Sequence, residues 1–216
     1  TANEIKFANK YSISLLNANA LKELTELKWA NLIKSFSNDV YWFNQKACSS
    51  PRSIVWLNES KENLKYIETF WDKISHYALE NFEDLSTQTD IMNKLTSIAC
   101  VSINSQTPKV NNMNYMTTRV LLANLKEHKQ LKDFHSGAGL FYESNIVNIS
   151  ELKPIIDRTT QTISYFGFDI NELKYELDKN HIYPDRVIPS GQALNFSVFW
   201  DGYNLFHSMT RNVEYI

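Results

Sequence analysis

The sequence predicts an α/β domain in which a largely parallel sheet is flanked by helices. Short apolar, β-branched segments alternate with longer segments in which apolar residues recur at helical spacing. The 216 residues are 43% hydrophobic, which is enough to bury a substantial core. The chain has only five Gly and five Pro and no repeat or low-complexity linker, so we expect one continuous domain over residues 1–216.

The first half of the chain predicts two strands and three helical regions. Ile13, Leu15 and Leu16 lie among small polar residues, as in a strand, and Asn17 then offers a helix start. The run from Ser53 to Leu57 is β-branched and apolar, as in a buried strand. The expected elements are strands at 5–16 and 53–57, a long helix or helix pair to about residue 45, and helices at about 60–82 and 89–101.

The second half continues the alternation. Because parallel neighbours need a crossover between them, alternating strands and helices predict parallel pairing. The expected elements are strands at 118–122, 140–147, 162–166 and 186–189, with helical pieces at 149–158 and 171–179.

Charge and hydropathy exclude several classes of partner. The formal charge is −2, from 22 basic and 24 acidic residues spread along the chain, which gives no basic footprint for nucleic acid or an anionic membrane. No apolar run reaches the roughly 18 residues of a spanning helix, and the N-terminal residues lack a signal peptide pattern. We therefore expect a soluble cytoplasmic protein with no membrane span.

The two cysteines, Cys48 and Cys100, could form at most one bridge, and their spacing indicates neither a disulfide framework nor a metal site. The five histidines show no ligand spacing either, so we predict no metal. Each cysteine is therefore considered as a free thiol. Cys100 lies in an apolar helical segment and is expected in the core.

Cys48 lies where a predicted helix gives way to a buried strand. The neighbouring residues are small, which leaves room for a substrate carbonyl, and Pro51 ends helical continuation. Lys46 and Arg52 would favour the reactive thiolate if they lie near it in space. From sequence alone, a lone cysteine such as Cys48 is more often a small buried hydrophobe than a nucleophile.

Four segments of the chain resemble the LuxC family of acyl-CoA reductases, in the aldehyde dehydrogenase superfamily. The most specific is YWFNQKAC at 41–48, which is similar to the family's aromatic-rich approach to a Gln-x-Ala-Cys nucleophile. Residues 6–12 resemble the strand that leads into the catalytic domain, and residues 160–164 its Gln-Thr strand. Residues 186–191 with 200–202 resemble its C-terminal signature.

This resemblance implies an aldehyde-dehydrogenase-like catalytic domain and a two-step reaction. Cys48 would take an acyl group from a fatty acyl-CoA or acyl-protein donor, and hydride from NADPH would release a fatty aldehyde. No phosphate-binding loop occurs in the chain, and the resemblance implies that most of the NADPH pocket belongs to a nucleotide-binding part that precedes Thr1. Acyltransferase or synthetase subunits are possible partners, and residues 212–216 could form the edge of a homo-oligomer.

The resemblance also implies residues close to the substrate or cofactor. A Gln-Thr pair that begins a strand can equally be an ordinary edge feature, and a Trp-Asp-Gly string can be a packed turn. The candidates near Cys48 are Asn44, Gln45, Ser49, Gln161, Thr162 and Asp201.

One departure from hydrolytic aldehyde dehydrogenases bears on the reaction. Those enzymes carry a Glu in the strand-end motif where this chain has KFANK at 6–10. That carboxylate activates water against the acyl-enzyme, so its absence favours transfer to hydride over release as a free acid. Two alternatives stay open. One is a non-catalytic assembly or acyl-binding module, in which the abundant aromatics could line an apolar groove, although aromatics are more often core residues. The other is a Cys48-dependent acyltransferase that uses no nicotinamide.

Overall fold

Six of the nine strands run parallel in a single sheet at the centre of the protein. The computed structural model describes residues 4–5, 7, 9–58, 60–105 and 108–211. The strands are β1 Tyr11–Asn17, β2 Pro51–Leu57, β3 Lys109–Asn114, β4 Thr117–Leu121, β5 Leu140–Ile146, β6 Thr160–Phe166, β7 Arg186–Pro189, β8 Phe199–Trp200 and β9 Tyr203–Asn204.

The main sheet has seven strands in the order β3-β4-β5-β2-β1-β6-β7. The pairs β4–β5, β5–β2, β2–β1, β1–β6 and β6–β7 are all parallel, and β3 is antiparallel to β4. The prediction of a largely parallel sheet is therefore confirmed. β8 and β9 form a separate antiparallel hairpin.

Helices cover both faces of this sheet. They are α1 Glu26–Tyr41, α2 Leu64–Phe82, α3 Gln88–Asn104, α4 Glu127–Leu131, α5 Ile170–Lys179 and α6 Leu205–Met209. Trp56 packs in a cluster with α1 and α2, whereas its strand neighbour Val55 packs in a second cluster with α5. Since successive strand residues point to opposite faces, β2 is buried on both sides.

Three predicted boundaries were wrong. The first strand begins at Tyr11 and not at residue 5, because its partner β6 begins only at Thr160. The predicted helix to about residue 45 is a 3₁₀ turn at Ala18–Glu23 followed by α1, which ends at Tyr41. The helix predicted at 149–158 is a 3₁₀ turn at Ile149–Leu152, because Pro154 lacks the N–H that a longer helix needs.

The sequence analysis missed several short elements of the second half. β3 is rich in Asn, which is uncommon in strands, and it is held by its antiparallel pairing with β4. α4, α6 and the β8–β9 hairpin are too short to give a periodic pattern. Residues 212–216, where an oligomer edge was predicted, and Lys6 and Ala8 of the first family-like segment lie outside the described residues.

Candidate active site around Cys48

Cys48 is an exposed free thiol in the turn between α1 and β2. The chain leaves α1 at Tyr41 and enters β2 at Pro51. The thiol therefore lies at the amino end of a central strand of the sheet. An exposed cysteine in such a turn differs from the buried small hydrophobe that the residue type alone would also allow.

Asn44 and Gln45 give this turn its shape. Their φ angles are 48° and 59°, a left-handed conformation that ends α1 before the thiol. The Gln45 side chain is fully buried and its Nε2 donates to the carbonyl oxygens of Pro51 and Leu140, both at 2.9 Å. Gln45 thus braces the thiol turn against the start of β5.

A second loop, residues 136–139, packs against the thiol turn. The backbone N–H of Ala138 donates to the Asn44 carbonyl at 2.9 Å. Gly137 and Gly139 both have positive φ, and a Cβ at Gly139 would lie 1.7 Å from the Met116 carbonyl oxygen. Only glycine fits at Gly139, which is a signal that the sequence analysis did not use.

Ser12 connects the thiol turn to two further strands. Its hydroxyl donates to the Cys48 carbonyl oxygen at 2.7 Å and accepts from the Thr162 backbone N–H at 3.2 Å. The amino ends of β1, β2 and β6 therefore meet behind Cys48, which brings the predicted residue Thr162 close to the thiol turn. Ser12 carries no sequence signal, because its role depends on which strands are neighbours.

The other predicted residues lie in the same region and are buried. Ser49 is 4% exposed and follows the thiol directly. Gln161 Nε2 donates to the Asp201 carboxylate, which ties the start of β6 to the β8–β9 hairpin. Gln161 Oε1 and Thr162 Oγ1 are buried with no hydrogen-bond partner among the described residues. These two atoms are candidates for contact with a ligand.

The C-terminal family-like segment is tied to α1 through Asp39. Its carboxylate accepts from the backbone N–H groups of Gly191 and Ala193 at 2.6 and 2.8 Å. Burial raises the pKa of Asp39 to about 6, although these two hydrogen bonds oppose the shift. Ser50, two residues beyond the thiol, donates to the Asp39 backbone carbonyl at 2.6 Å. These hydrogen bonds connect the C-terminal segment, α1 and the turn that carries Cys48.

The two cations that flank Cys48 in sequence have different surroundings. Lys46 forms an ion pair with Asp90 at 2.7 Å, and Asp90 also accepts from Asn44 and caps α3. Arg52 forms no ion pair or side-chain hydrogen bond within the described residues, and its Nε is buried and unpartnered. Burial lowers the pKa of Arg52, and an electrostatic interaction with Cys48 opposes that shift. Of the two cations, Arg52 is the one with an electrostatic interaction with Cys48.

His135 was not predicted as a site residue, yet it lies in the same cluster. Its Nε2 donates to the Leu140 carbonyl at 2.6 Å and its Nδ1 accepts from the Gly137 N–H at 3.0 Å, which fixes the neutral tautomer. Burial, with a smaller effect from Arg52, lowers the pKa of His135 to about 3. His135 is neutral at physiological pH and positions the loop before β5.

The aromatic residues before Cys48 divide between core and surface. Tyr41 is fully buried, whereas Trp42 and Phe43 are 58% and 61% exposed. Trp200 is half-buried, and the guanidinium carbon of Arg186 lies 4.7 Å from the centre of the Trp200 ring. Trp42 and Phe43 therefore form an exposed apolar surface in the turn that carries the thiol.

Cys100 is half-buried on α3 and not fully in the core as predicted, because α3 lies on the outside of the sheet with Val101 as its inward neighbour.

Within the described ranges, no group of three or more His, Cys, Asp or Glu side chains is placed to hold a metal ion. In the same part of the chain, no helix combines the length and apolar character needed to cross a membrane.

Solved structures with the same architecture are aldehyde dehydrogenases. KauB from Pseudomonas aeruginosa aligns with a TM-score of 0.57 and 10% identity, over 88% of this chain and 39% of its own. Lactaldehyde dehydrogenase from Escherichia coli aligns with a TM-score of 0.53 and 9% identity, over 88% and 40%. An NAD-dependent aldehyde dehydrogenase from Sinorhizobium meliloti aligns with a TM-score of 0.52 and 7% identity, over 84% and 37%.

The chain has an aldehyde dehydrogenase-like fold. It spans about 40% of the length of these structures. No family model and no curated protein matches the sequence. At these identities the likeness establishes the fold, and the reaction has to be argued from the residues around Cys48.

Proposed function

We propose that this chain is the thiol-bearing catalytic domain of an NADPH-dependent reductase that converts a fatty acyl thioester to a fatty aldehyde. The observation that carries the proposal is the exposed Cys48 thiol in a braced turn, with Arg52, which has no ion pair among the described residues, as its electrostatic partner. The aldehyde dehydrogenase-like fold and the LuxC-like segments support it.

In the first step, the Cys48 thiolate attacks the thioester carbonyl of an acyl-CoA or acyl-protein donor. A new carbon–sulfur bond forms to Cys48, and the donor's thiolate leaves and takes a proton from water. Arg52 interacts electrostatically with Cys48, and Gln45 and Ser12 hold the turn in place. The exposed rings of Trp42 and Phe43 are proposed contacts for the acyl chain.

In the second step, hydride is added to the acyl carbon and the carbon–sulfur bond breaks, which regenerates the Cys48 thiolate and releases the aldehyde. NADPH supplies that hydride when bound. The described residues include no dinucleotide-binding loop, and we propose that the pocket belongs to a nucleotide-binding part that precedes Thr1. One solved structure of the same fold is named as NAD-dependent, which is consistent with a nicotinamide cofactor.

The test uses the full-length protein with a long-chain acyl-CoA and NADPH. We expect NADPH oxidation with aldehyde formation, and intact mass should show an acyl adduct on Cys48. Cys48→Ala should lower the rate at least about a thousandfold, because the nucleophile is removed. Cys100→Ala is the matched control and should keep the rate.

The alternatives give different results in the same assays. Acyl transfer to a thiol or amine without NADPH oxidation would indicate an acyltransferase. Absence of both adduct and NADPH oxidation, with acyl-CoA and with an acyl-protein donor, would indicate a non-catalytic module. Sedimentation of the full-length protein tests the expected homo-oligomer.

A further inference from the structure

A small cavity lies at the amino ends of β1, β2 and β6, where Arg52 extends from the thiol turn. Its volume is about 100 Å³. Lys10 and Tyr11 are buried parts of its wall, Arg52 and Lys132 are half-buried, and Asp133 is exposed. The cavity is therefore polar and open to solvent on one side.

The charges on this wall are unbalanced. Lys10 is satisfied, because it forms an ion pair with Asp185 at 2.7 Å and donates to the Arg158 carbonyl at 2.6 Å. Lys132 donates one hydrogen bond, to Thr159 Oγ1 at 3.1 Å, lies 5.4 Å from the centre of the Tyr11 ring and forms no ion pair within the described ranges. Its charge also acts on Asp157, which is ion-paired with Lys129 at 3.0 Å. In the described wall, Arg52 and Lys132 therefore lie near one exposed carboxylate, Asp133, and most of their donors are unused.

Unpartnered donors are unusual in a protein interior. The Nε of Arg52, a residue of the cavity wall, is buried without a hydrogen-bond partner among the described residues. A buried donor that loses its water and finds no partner destabilises the fold. A water, an ion or a ligand in the cavity would satisfy this donor.

The size of the cavity limits the ligand. Pockets for drug-sized molecules are usually about 300–1,000 Å³, so a nucleotide would not fit in 100 Å³. The space is enough for a few water molecules or for one tetrahedral oxyanion. Guanidinium and ammonium groups together are the usual partners of such anions.

We propose that this cavity, at the amino ends of β1, β2 and β6, binds one small oxyanion of the phosphate class, held by Arg52 and Lys132. The anion is either free inorganic phosphate or a phosphate group of a bound substrate. Only the second source rests on the proposed thioester chemistry, because free phosphate can bind to a protein that reduces nothing.

The first experiment titrates inorganic phosphate into the full-length protein at constant ionic strength, with chloride as the replaced anion, and measures Kd by calorimetry. Arg52→Met and Lys132→Met should each weaken binding about tenfold or more. Lys126→Met is the matched control, because Lys126 is exposed, lies outside the cavity wall and carries the same charge. Asp133→Asn should tighten binding, since it removes the carboxylate that lines the described part of the wall.

The second experiment compares coenzyme A with pantetheine, which lacks the phosphates, in the same four variants. If Lys132→Met weakens coenzyme A at least about tenfold and leaves pantetheine unchanged, a substrate phosphate occupies the cavity. Bound phosphate should also slow the alkylation of Cys48 by iodoacetamide, because it screens Arg52. The proposal is overturned if Arg52→Met and Lys132→Met match Lys126→Met for both phosphate and coenzyme A.

Discussion

Two arginines of one sheet, the buried Arg119 on β4 and the half-buried Arg52 on β2, have different partners, and the two strands are separated by β5. Arg119 on β4 is 2% exposed and donates to both oxygens of Glu143, at 2.8 and 3.2 Å, and to Glu68 at 2.7 Å. Arg52 on β2 has none of these contacts within the described residues.

The two arginines also differ in the direction in which their pKa is shifted. Burial lowers the pKa of Arg52, and its neighbours recover only part of the shift. Burial acts in the same direction on Arg119, but Glu143 and Glu68 outweigh it and its pKa lies above the ordinary value. A buried cation whose donors are paired with carboxylates stabilises the fold. A cation with unpaired donors near an exposed thiol is available to bind a ligand.

The largest expected effect on stability is at Glu143, the carboxylate that pairs with Arg119. Glu143 also accepts from the indole N–H groups of Trp56 and Trp71, at 2.6 and 2.9 Å. Glu143→Gln should lower the free energy of unfolding by about 3 kcal/mol, because it leaves Arg119 without its buried counter-charge. Urea unfolding measures this, and Glu68→Gln is the control, with an expected loss below about 1 kcal/mol because Glu68 is half exposed. Equal losses in both variants would show that the network is not the stabilising unit.

The next largest effect is a pH dependence of stability that comes from His128, a buried histidine beside β5, the strand that carries Glu143. His128 is 1% exposed; its Nε2 forms a hydrogen bond with Ser144, next to Glu143, and its Nδ1 is unpartnered among the described residues. Burial lowers its pKa from 6.5 to about 3. Since the unfolded chain takes up this proton first, stability is fully present above pH 6.5 and is lost as the pH falls toward 3.

The expected loss from His128 between about pH 7.5 and about pH 5.0 is about 2 kcal/mol. Urea unfolding at both pH values should show that this loss is smaller in His128→Gln by roughly that amount. An unchanged pH dependence in the variant would mean that His128 accepts a proton in the folded state. His128 would then resemble Arg52, which has unused hydrogen-bonding capacity, more than Arg119, whose donors are paired.

The smallest expected effect on stability is at Arg52. Arg52→Met should change the free energy of unfolding by less than about 1 kcal/mol, because no hydrogen bond or ion pair is lost. The same variant should slow alkylation of Cys48 by iodoacetamide several-fold, since it removes a positive charge that interacts electrostatically with Cys48. Arg119→Met is the contrasting variant and should lose several kcal/mol while Cys48 reacts normally. A large loss of stability in Arg52→Met would break the comparison.

How much the sequence predicts depends on how local the cause is. Apolar periodicity predicted α2, α3, α5 and the parallel strands, because burial on one or both faces dictates the pattern. The same approach placed Cys48 in a turn before a buried strand. It could not find Ser12 or His135, whose roles come from strand order and from the approach of loops distant in sequence. It also missed β3, in which antiparallel pairing overrides the low strand preference of Asn.

The Ser12 hydroxyl has a consequence for the newly synthesised chain. It joins Cys48 to Thr162, and Ser12 and Thr162 are separated by 150 positions. A ribosome must therefore translate β6 before this bridge can close, and closing so long a loop is a late event in folding. Until then the thiol turn lacks one of its supports, so the last strands to be made control when the cysteine acquires its final surroundings.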